Sequence, residues 1–221
     1  MRILNGVISS LIAIGCTSAM AASDTDVPFI TTPDNVTMEM LKLADVKPRD
    51  YVMDLGSGDG RIVISAARHF GARGLGVELV PDLVRKSQDN ARSAGVADRA
   101  EFRVQDLFKT DLSSATVVTM YLLPEVNLQL RPTLLALKPG TRLVSHDWDM
   151  GDWKPDRTVT VAAPDKKVGL EKLSRLHLWL VPARVTGLWC GFSTLRAAFS
   201  SIPDIPSRLC SSASTSCGPR P

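Results

Sequence analysis

From Asp34 onward, the apolar positions of the chain switch repeatedly between two periods. Val36, Met40, Leu41 and Leu43 recur roughly every 3.6 residues, which predicts a helix capped by Asp34 and broken at Pro48-Arg49-Asp50. Tyr51-Val52-Met53-Asp54-Leu55 is a short apolar run and predicts a buried strand, followed by a glycine-rich turn. Ile62, Ile64, Ala66, Ala67 and Phe70 predict a second helix. The alternation continues with a strand over residues 74–79 and a helix opened by Pro81 and running to about Ala94. A strand over 100–104 and a β-branched strand over 116–123 follow. A helix from about Glu125 to Leu137 is stopped by Lys138-Pro139-Gly140, and a fifth strand covers 141–145. Two more strand-like segments cover 158–162 and 176–189, the second interrupted at Pro182-Ala183-Arg184.

Strands alternating with helices predict an α/β fold, a doubly wound, mostly parallel seven-stranded sheet covered on both faces. Right-handed crossovers place ligands beyond the carboxyl ends of the strands. That rim collects Gly56 to Gly60, Glu78, Asp106, Tyr121 to Pro124 and His146 to Trp148.

The ends of the chain depart from this pattern. Arg2, the apolar run over residues 7–15 and Ala19-Met20-Ala21 have the layout of a secretory signal peptide over residues 1–21. That apolar run is well short of the ~20 residues a membrane span needs, and no other stretch is long enough. Cleavage after Ala21 is expected, with a periplasmic destination; a lipoprotein site at Cys16 or a retained, cytoplasm-facing anchor are the alternatives. The α/β domain itself is assigned to residues 24–190. Residues 191–221 are rich in serine and proline without a sustained period, which predicts a disordered tail.

Composition narrows the function mainly by exclusion. The 221 residues, 44% hydrophobic and 22% charged, suit one α/β domain. A net charge of +3 without long like-charge runs gives no electrostatic case for nucleic acid. Cys16, Cys190, Cys210 and Cys217 show no CxxC spacing and no histidine cluster, so no metal site is expected and thiol catalysis in the core is ruled out.

The informative segment is Asp54-Leu55-Gly56-Ser57-Gly58-Asp59-Gly60. Glycines after a strand allow positive φ and close approach of a ligand, and the helix that follows offers amides to an anion. A dinucleotide fingerprint would need a third glycine where Arg61 stands, and two carboxylates would repel a pyrophosphate. Asp54 and Asp59 instead suit a ligand carrying an ammonium and a sulfonium, which S-adenosylmethionine does. Gly56, Ser57, Gly58 and Gly60 form its expected cradle. Glu78 stands where an acid takes ribose hydroxyls, about 20 residues on. Asp106 is placed to accept from the adenine amino group, with Leu79 and Leu107 along the purine faces.

The Asp54–Gly60 motif with Glu78 and Asp106 resembles the recurring motifs of Rossmann-like class I methyltransferases. Val27 to Pro33, Leu55 to Val63, Asp106-Leu107-Phe108, Leu123-Pro124 and the region from Ser145 to Trp153 resemble a bacterial exported methyltransferase family. That family is similar to mitochondrial lysine methyltransferases of the ATP synthase c-subunit and of the adenine nucleotide translocase. The resemblance implies S-adenosylmethionine as cofactor and a protein side chain, lysine foremost, as acceptor.

Methyl transfer from a sulfonium needs alignment and a free lone pair rather than a covalent intermediate. Tyr121, His146 and Asp147 are the candidate catalytic residues, with Glu125, Trp148, Asp149 and Trp153 nearby on the rim. The [DN]-P-P-[YF] signature of adenine and glutamine methyltransferases is absent; Tyr121-Leu122-Leu123-Pro124 stands in its region. A small-molecule acceptor and a non-catalytic cofactor-binding module remain as alternatives.

Overall fold

The computed structural model describes residues 30–167, 169 and 171–183. The expected signal segment over 1–21, the tail over 191–221 and all four cysteines lie outside the described residues. Helix α1 (Asp34–Leu43) leads into β1 (Tyr51–Leu55), α2 (Arg61–Phe70), β2 (Arg73–Glu78), α3 (Pro81–Ser93) and β3 (Ala100–Val104). A 3-10 turn (Leu107–Lys109) precedes β4 (Val117–Met120), α4 (Pro124–Leu135), β5 (Arg142–His146), β6 (Arg157–Ala162) and β7 (Leu173–Leu180).

The seven strands form one sheet in the order β3-β2-β1-β4-β5-β7-β6. Strands β1 to β5 pair in parallel, while β7 runs antiparallel to both β5 and β6. This is the doubly wound, mostly parallel sheet that the alternation of periods predicts, with an antiparallel hairpin at one edge. Strand order reverses between β1 and β4, so their carboxyl ends open the crevice where such sheets bind ligands.

Alternating side chains of the sheet feed two opposite cores. Met53 and Leu55 pack with Val118, Met120, Leu143 and Trp179 on one face. Val52, Val117, Val144 and Leu176 pack against Val36, Met40 and Leu41 of α1 on the other. Burying each large aliphatic chain contributes about 1.5–3 kcal/mol, enough to hold helices on both faces. The indole of Trp179 is fully buried, and its Nε1 donates to the Trp153 carbonyl at 2.8 Å, binding the post-β5 segment to β7. None of the described helices is long and apolar enough to cross a membrane.

Two boundaries differ from the sequence pattern for local reasons. Strand β4 ends at Met120 rather than residue 123, because Pro124 occupies the first turn of α4 and Leu123 is its extended N-cap. Strand β7 begins at Leu173, since the hairpin register pairs it with Ala162 at the end of β6.

Glycines let the layers approach at the centre of the sheet. A Cβ at Gly74 would lie 2.5 Å from the Val52 carbonyl oxygen and 2.9 Å from Val63 Cγ1. At Gly76 it would lie 2.6 Å from both Phe102 Cδ1 and Ser57 Cβ. Ser57 therefore rests on bare backbone of β2. Gly76→Ala is expected to cost about 1–3 kcal/mol by overpacking, measured by urea unfolding. Wild-type stability in that variant would show that Ser57 and Phe102 yield freely.

Candidate active site

The turn after β1 is built by backbone geometry. Gly56, Gly58 and Gly60 have φ of 75°, 54° and 81°. The amides of Gly56 and Ser57 both donate to the Val77 carbonyl, at 3.0 and 2.9 Å, folding the chain over the end of β2. Gly60 closes the turn by donating to the Ser57 carbonyl at 2.8 Å and caps α2. A Cβ at Gly60 would collide with Phe102 Cζ at 2.6 Å and Ser87 Cβ at 2.7 Å. The buried Ser57 hydroxyl has no hydrogen-bond partner among the described residues.

Glu78 lies across this turn. One carboxylate oxygen accepts from the Gly58 amide at 3.0 Å, the other from Leu79 and Val80 at 2.8 and 3.2 Å. The acid that the sequence reading assigns to ribose hydroxyls braces the glycine loop in this structure. Asp106 caps the 3-10 turn by accepting from the Phe108 amide at 2.9 Å, and its other oxygen is 3.4 Å from Lys109 Nζ. Leu79 is 59% exposed, with Val80 and Phe108 also open on this rim. Leu107, read from sequence as a purine-facing residue, instead packs against the core, and Phe108 is the exposed neighbour. The single 3-10 turn reverses the side-chain directions that an extended chain would give.

Asp54 and Asp59, grouped in the sequence as a pair for a cationic ligand, have different surroundings. Asp59 is bonded to Arg61 through two contacts, Nε to Oδ1 at 2.9 Å and Nη2 to Oδ2 at 2.6 Å. Burial opposes its charge, but Arg61 outweighs it and holds the carboxyl below the usual range. Arg61 Nη1 also donates to the Thr32 carbonyl at 2.7 Å and reaches Asp34 at 3.2 Å, lashing the N-terminal strap to the loop. Asp54 has no cation paired with it among the described residues. It accepts from Thr119 Oγ1 at 2.7 Å, but full burial, with Glu78 and Asp59 nearby, pushes it up to about 7.

Tyr121, His146 and Asp147 come together at the ends of β4 and β5. The Tyr121 ring stacks on His146 with centroids 3.9 Å apart. His146 is fully buried, its Nδ1 3.3 Å from Thr32 Oγ1 and its Nε2 2.8 Å from Ser174 Oγ. Burial pushes it down to about 4, against the pull of Asp147, so it is neutral at pH 7. Both nitrogens are engaged, no face of the ring is exposed, and His146 packs under Tyr121 at the strand end.

Asp147 adopts a left-handed backbone, φ 64°, fixed by its amide donating to the Arg175 carbonyl at 2.7 Å. Its Oδ1 accepts from the Arg175 amide at 3.0 Å. Its Oδ2 lies 3.5 Å from the Tyr121 hydroxyl and 2.7 Å from Lys166 Nζ. Burial, then Asp147, raises the Tyr121 phenol to about 12, so it stays protonated and donates. Asn127, fully buried on α4, donates to Ser145 Oγ and to the Trp148 and Asp149 carbonyls at 3.1–3.3 Å, holding the post-β5 segment.

Arg61, Asn127, Lys166 and Ser174 were not singled out as site residues by the sequence. Thr32 and Arg61 lie inside its resembling segments; Lys166 and Ser174 arrive from the distant hairpin and carry no local signal. Among the described residues no group of three or more His, Cys, Asp or Glu side chains is arranged to hold a metal.

The doubly wound sheet with its antiparallel β7 and a glycine loop at the switch point matches the class I methyltransferase fold. Its relatives agree. The profile of the ANTKMT methyltransferase domain matches residues 54–157. A protein-lysine N-methyltransferase of Saccharolobus islandicus is 44% identical over 137 residues, 61% of this chain and 85% of that protein. An ATP synthase c-subunit lysine N-methyltransferase of Mus musculus is 39% identical over 111 residues, 50% of this chain and 44% of that protein. The match thus spans less than half of the mouse enzyme. A crystal structure of an RNA methyltransferase from Salinibacter ruber in complex with S-adenosyl-L-homocysteine is 54% identical, with TM-score 0.65, covering 71% of this chain and 96% of that one. The chain belongs to this methyltransferase family and is an S-adenosylmethionine-dependent enzyme.

Asp54 gives the site a pH signature. Its pKa is raised on folding, so between about 4 and about 7 the folded protein binds more protons than the unfolded chain. Stability of the ligand-free protein should therefore fall as pH rises through that window. Asp54→Asn should flatten the fall in a pH series of thermal melts; an equally steep fall in the variant would place its origin elsewhere.

Proposed function

We propose that this methyltransferase acts on protein amines, lysine foremost, with Asp147 and Tyr121 receiving the acceptor. The observation that carries the reading is the Asp147 carboxylate at the β5 terminus, backbone-locked and 3.5 Å from a protonated phenol. The protein-lysine N-methyltransferase named among the relatives supports it.

The glycine loop fits the cofactor: it keeps a partnerless buried hydroxyl at Ser57, an acid at Glu78 and exposed apolar side chains beside it. Asp54, Gly56, Ser57, Gly58, Gly60 and Glu78 would hold it, with Asp106 at the adenine end. When bound, S-adenosylmethionine supplies an electrophilic methyl whose leaving thioether is neutral. The chain's own work is to orient an amine and let it shed a proton. Asp147 Oδ2 accepts a hydrogen bond from the amine while the Tyr121 hydroxyl limits its approach. The neutral His146 ring fixes Tyr121 without adding a positive charge that would repel an ammonium. A lysine, with its ordinary pKa near 10.4, is held by the carboxylate in its charged form and loses its proton to solvent as it turns its lone pair inward.

Labelled S-adenosylmethionine offered with poly-L-lysine, cell-envelope protein, total RNA and small amines tests the acceptor. Label in lysine is expected; label confined to RNA or to small amines would overturn the reading. Asp147→Asn should lower kcat/KM for poly-L-lysine by about 10²-fold through misplacement of the amine, with cofactor affinity unchanged.

Gly58→Val, a β-branched residue at φ 54°, should abolish cofactor binding in calorimetry. Retained binding would remove the loop from the site. We also propose export, supported by Arg2, the apolar run over 7–15 and Ala19-Met20-Ala21. N-terminal sequencing of the exported protein should begin at Ala22, and an intact Met1 would reject processing.

A further inference from the structure

The strongest position on Asp147 is already taken by an amine of the protein itself. Lys166 Nζ lies 2.7 Å from Asp147 Oδ2, far closer than the Tyr121 hydroxyl or His146 Nε2, both 3.5 Å from the same atom. The side chains are 12% and 16% exposed, so this pair is largely withdrawn from water. The remaining carboxylate oxygen is held by the Arg175 amide. Any cation approaching Asp147 must therefore contend for Oδ2.

Lys166 reaches this point from the connection between β6 and β7. Its backbone is held by a bond to the Ala163 carbonyl at 3.0 Å, and its ammonium also donates to the Leu173 carbonyl at 2.7 Å. A cleft of about 590 Å³ runs beside the connection, with Thr31, Asp34 and Arg61 on one side and Asp165 and Lys167 on the other. The cleft gives an acceptor chain room to lie along the residues that flank Lys166 in the chain.

We propose that Lys166 is an internal stand-in for the acceptor amine, resting on Asp147 until an incoming amine displaces it. The inference rests on the reading of Asp147 as the acceptor's carboxylate. Exchange is chemically even: one ammonium replaces another, and the shielded carboxylate is never left without a cation, a state that burial penalises. The released Lys166 is free to take its charge to solvent on its flexible stem. The stand-in thereby protects a buried charge in the resting enzyme and selects for acceptors basic enough to supplant it. A neutral small molecule offers no replacement charge and is discriminated against.

The test uses the full chain, saturating S-adenosylmethionine and poly-L-lysine. An occupant present for about nine-tenths of the time raises the apparent acceptor KM about tenfold. Lys166→Met should accordingly lower KM by up to about tenfold. Lys166→Arg, whose planar fork grips a carboxylate more firmly, should raise it. Cofactor Kd should be the same in all three proteins. A merely structural counter-ion predicts the opposite for Lys166→Met, an unchanged or raised KM with a lower melting temperature, and that result would overturn the inference.

A second measurement avoids substitution. Acetic anhydride labelling of Lys166, followed by mass spectrometry, should rise when a trimethyllysine peptide is added and not with its alanine counterpart. Equal labelling with both peptides also overturns the inference. Wild-type protein that transfers no methyl to any lysine sinks the amine-acceptor reading itself, and the stand-in with it. Active wild type with the KM order reversed sinks the stand-in alone.

Discussion

The site depends on backbone passing where side chains cannot. Ser57 lies on the bare backbone of Gly76, and Gly60 fits under Phe102 and Ser87, with either position closed to a Cβ by contacts of 2.6–2.7 Å. The positive φ angles of Gly56, Gly58 and Gly60 let three turns of direction occur within five residues. Because the loop lies flat against β2, Glu78 can reach back to the Gly58 amide, and Asp54, one residue before the end of β1, is buried rather than in water. One steric condition thus sets the loop's height, the acid's reach and the burial of a carboxylate.

Burial then sorts the acids by whether they have a cation. Asp50, at the amino end of the sheet, is paired with Arg142 at 2.5 Å and accepts from Thr116 and the Lys47 amide. These partners overcome its desolvation and hold its carboxyl low. Asp59 has Arg61, and Asp147 has Lys166. Asp54 is left with a threonine hydroxyl and two acidic neighbours. A buried acid without a counter-ion destabilises the ligand-free state, and a cationic ligand nearby relieves that cost. Asp50 and Asp59, paired within the frame, hold backbone and strap in place, whereas unpaired Asp54 is placed where binding energy can be gained.

The fold was largely legible because the periods are local. The 3.6-residue repeat of Val36, Met40 and Leu41, the run over 51–55 and the Lys138-Pro139-Gly140 stop each state an element within a few residues of it. The antiparallel hairpin was harder to place, since its register comes from pairing of Leu173 with Ala162. Leu107 and Phe108 were exchanged for a similar reason: a single turn of 3-10 helix decides which faces the core. Asp54 and Asp59 looked equivalent in the sequence because Arg61 could equally have pointed at a ligand, and its bidentate pair with Asp59 appears only in three dimensions.

The same distinction explains why the relatives speak more clearly about the cofactor than about the acceptor. The family profile covers residues 54–157, which takes in the glycine loop, Glu78, Asp106, Tyr121, His146 and Asp147. The side-chain and backbone groups that set the environment of the last three come largely from outside it. Thr32 lies before its start, and Lys166, Ser174 and Arg175 lie after its end. A cofactor common to many enzymes is held by a contiguous stretch of strand, loop and strand. The end proposed for the acceptor is assembled from the N-terminal strap, two strand termini and the edge hairpin, whose contributions meet only after the sheet has closed. On the proposed reading of Asp147 as the acceptor's carboxylate, changes in the strap or hairpin would retune which amine reaches it without disturbing the loop, and relatives would share the cofactor half of this site while differing in what they methylate.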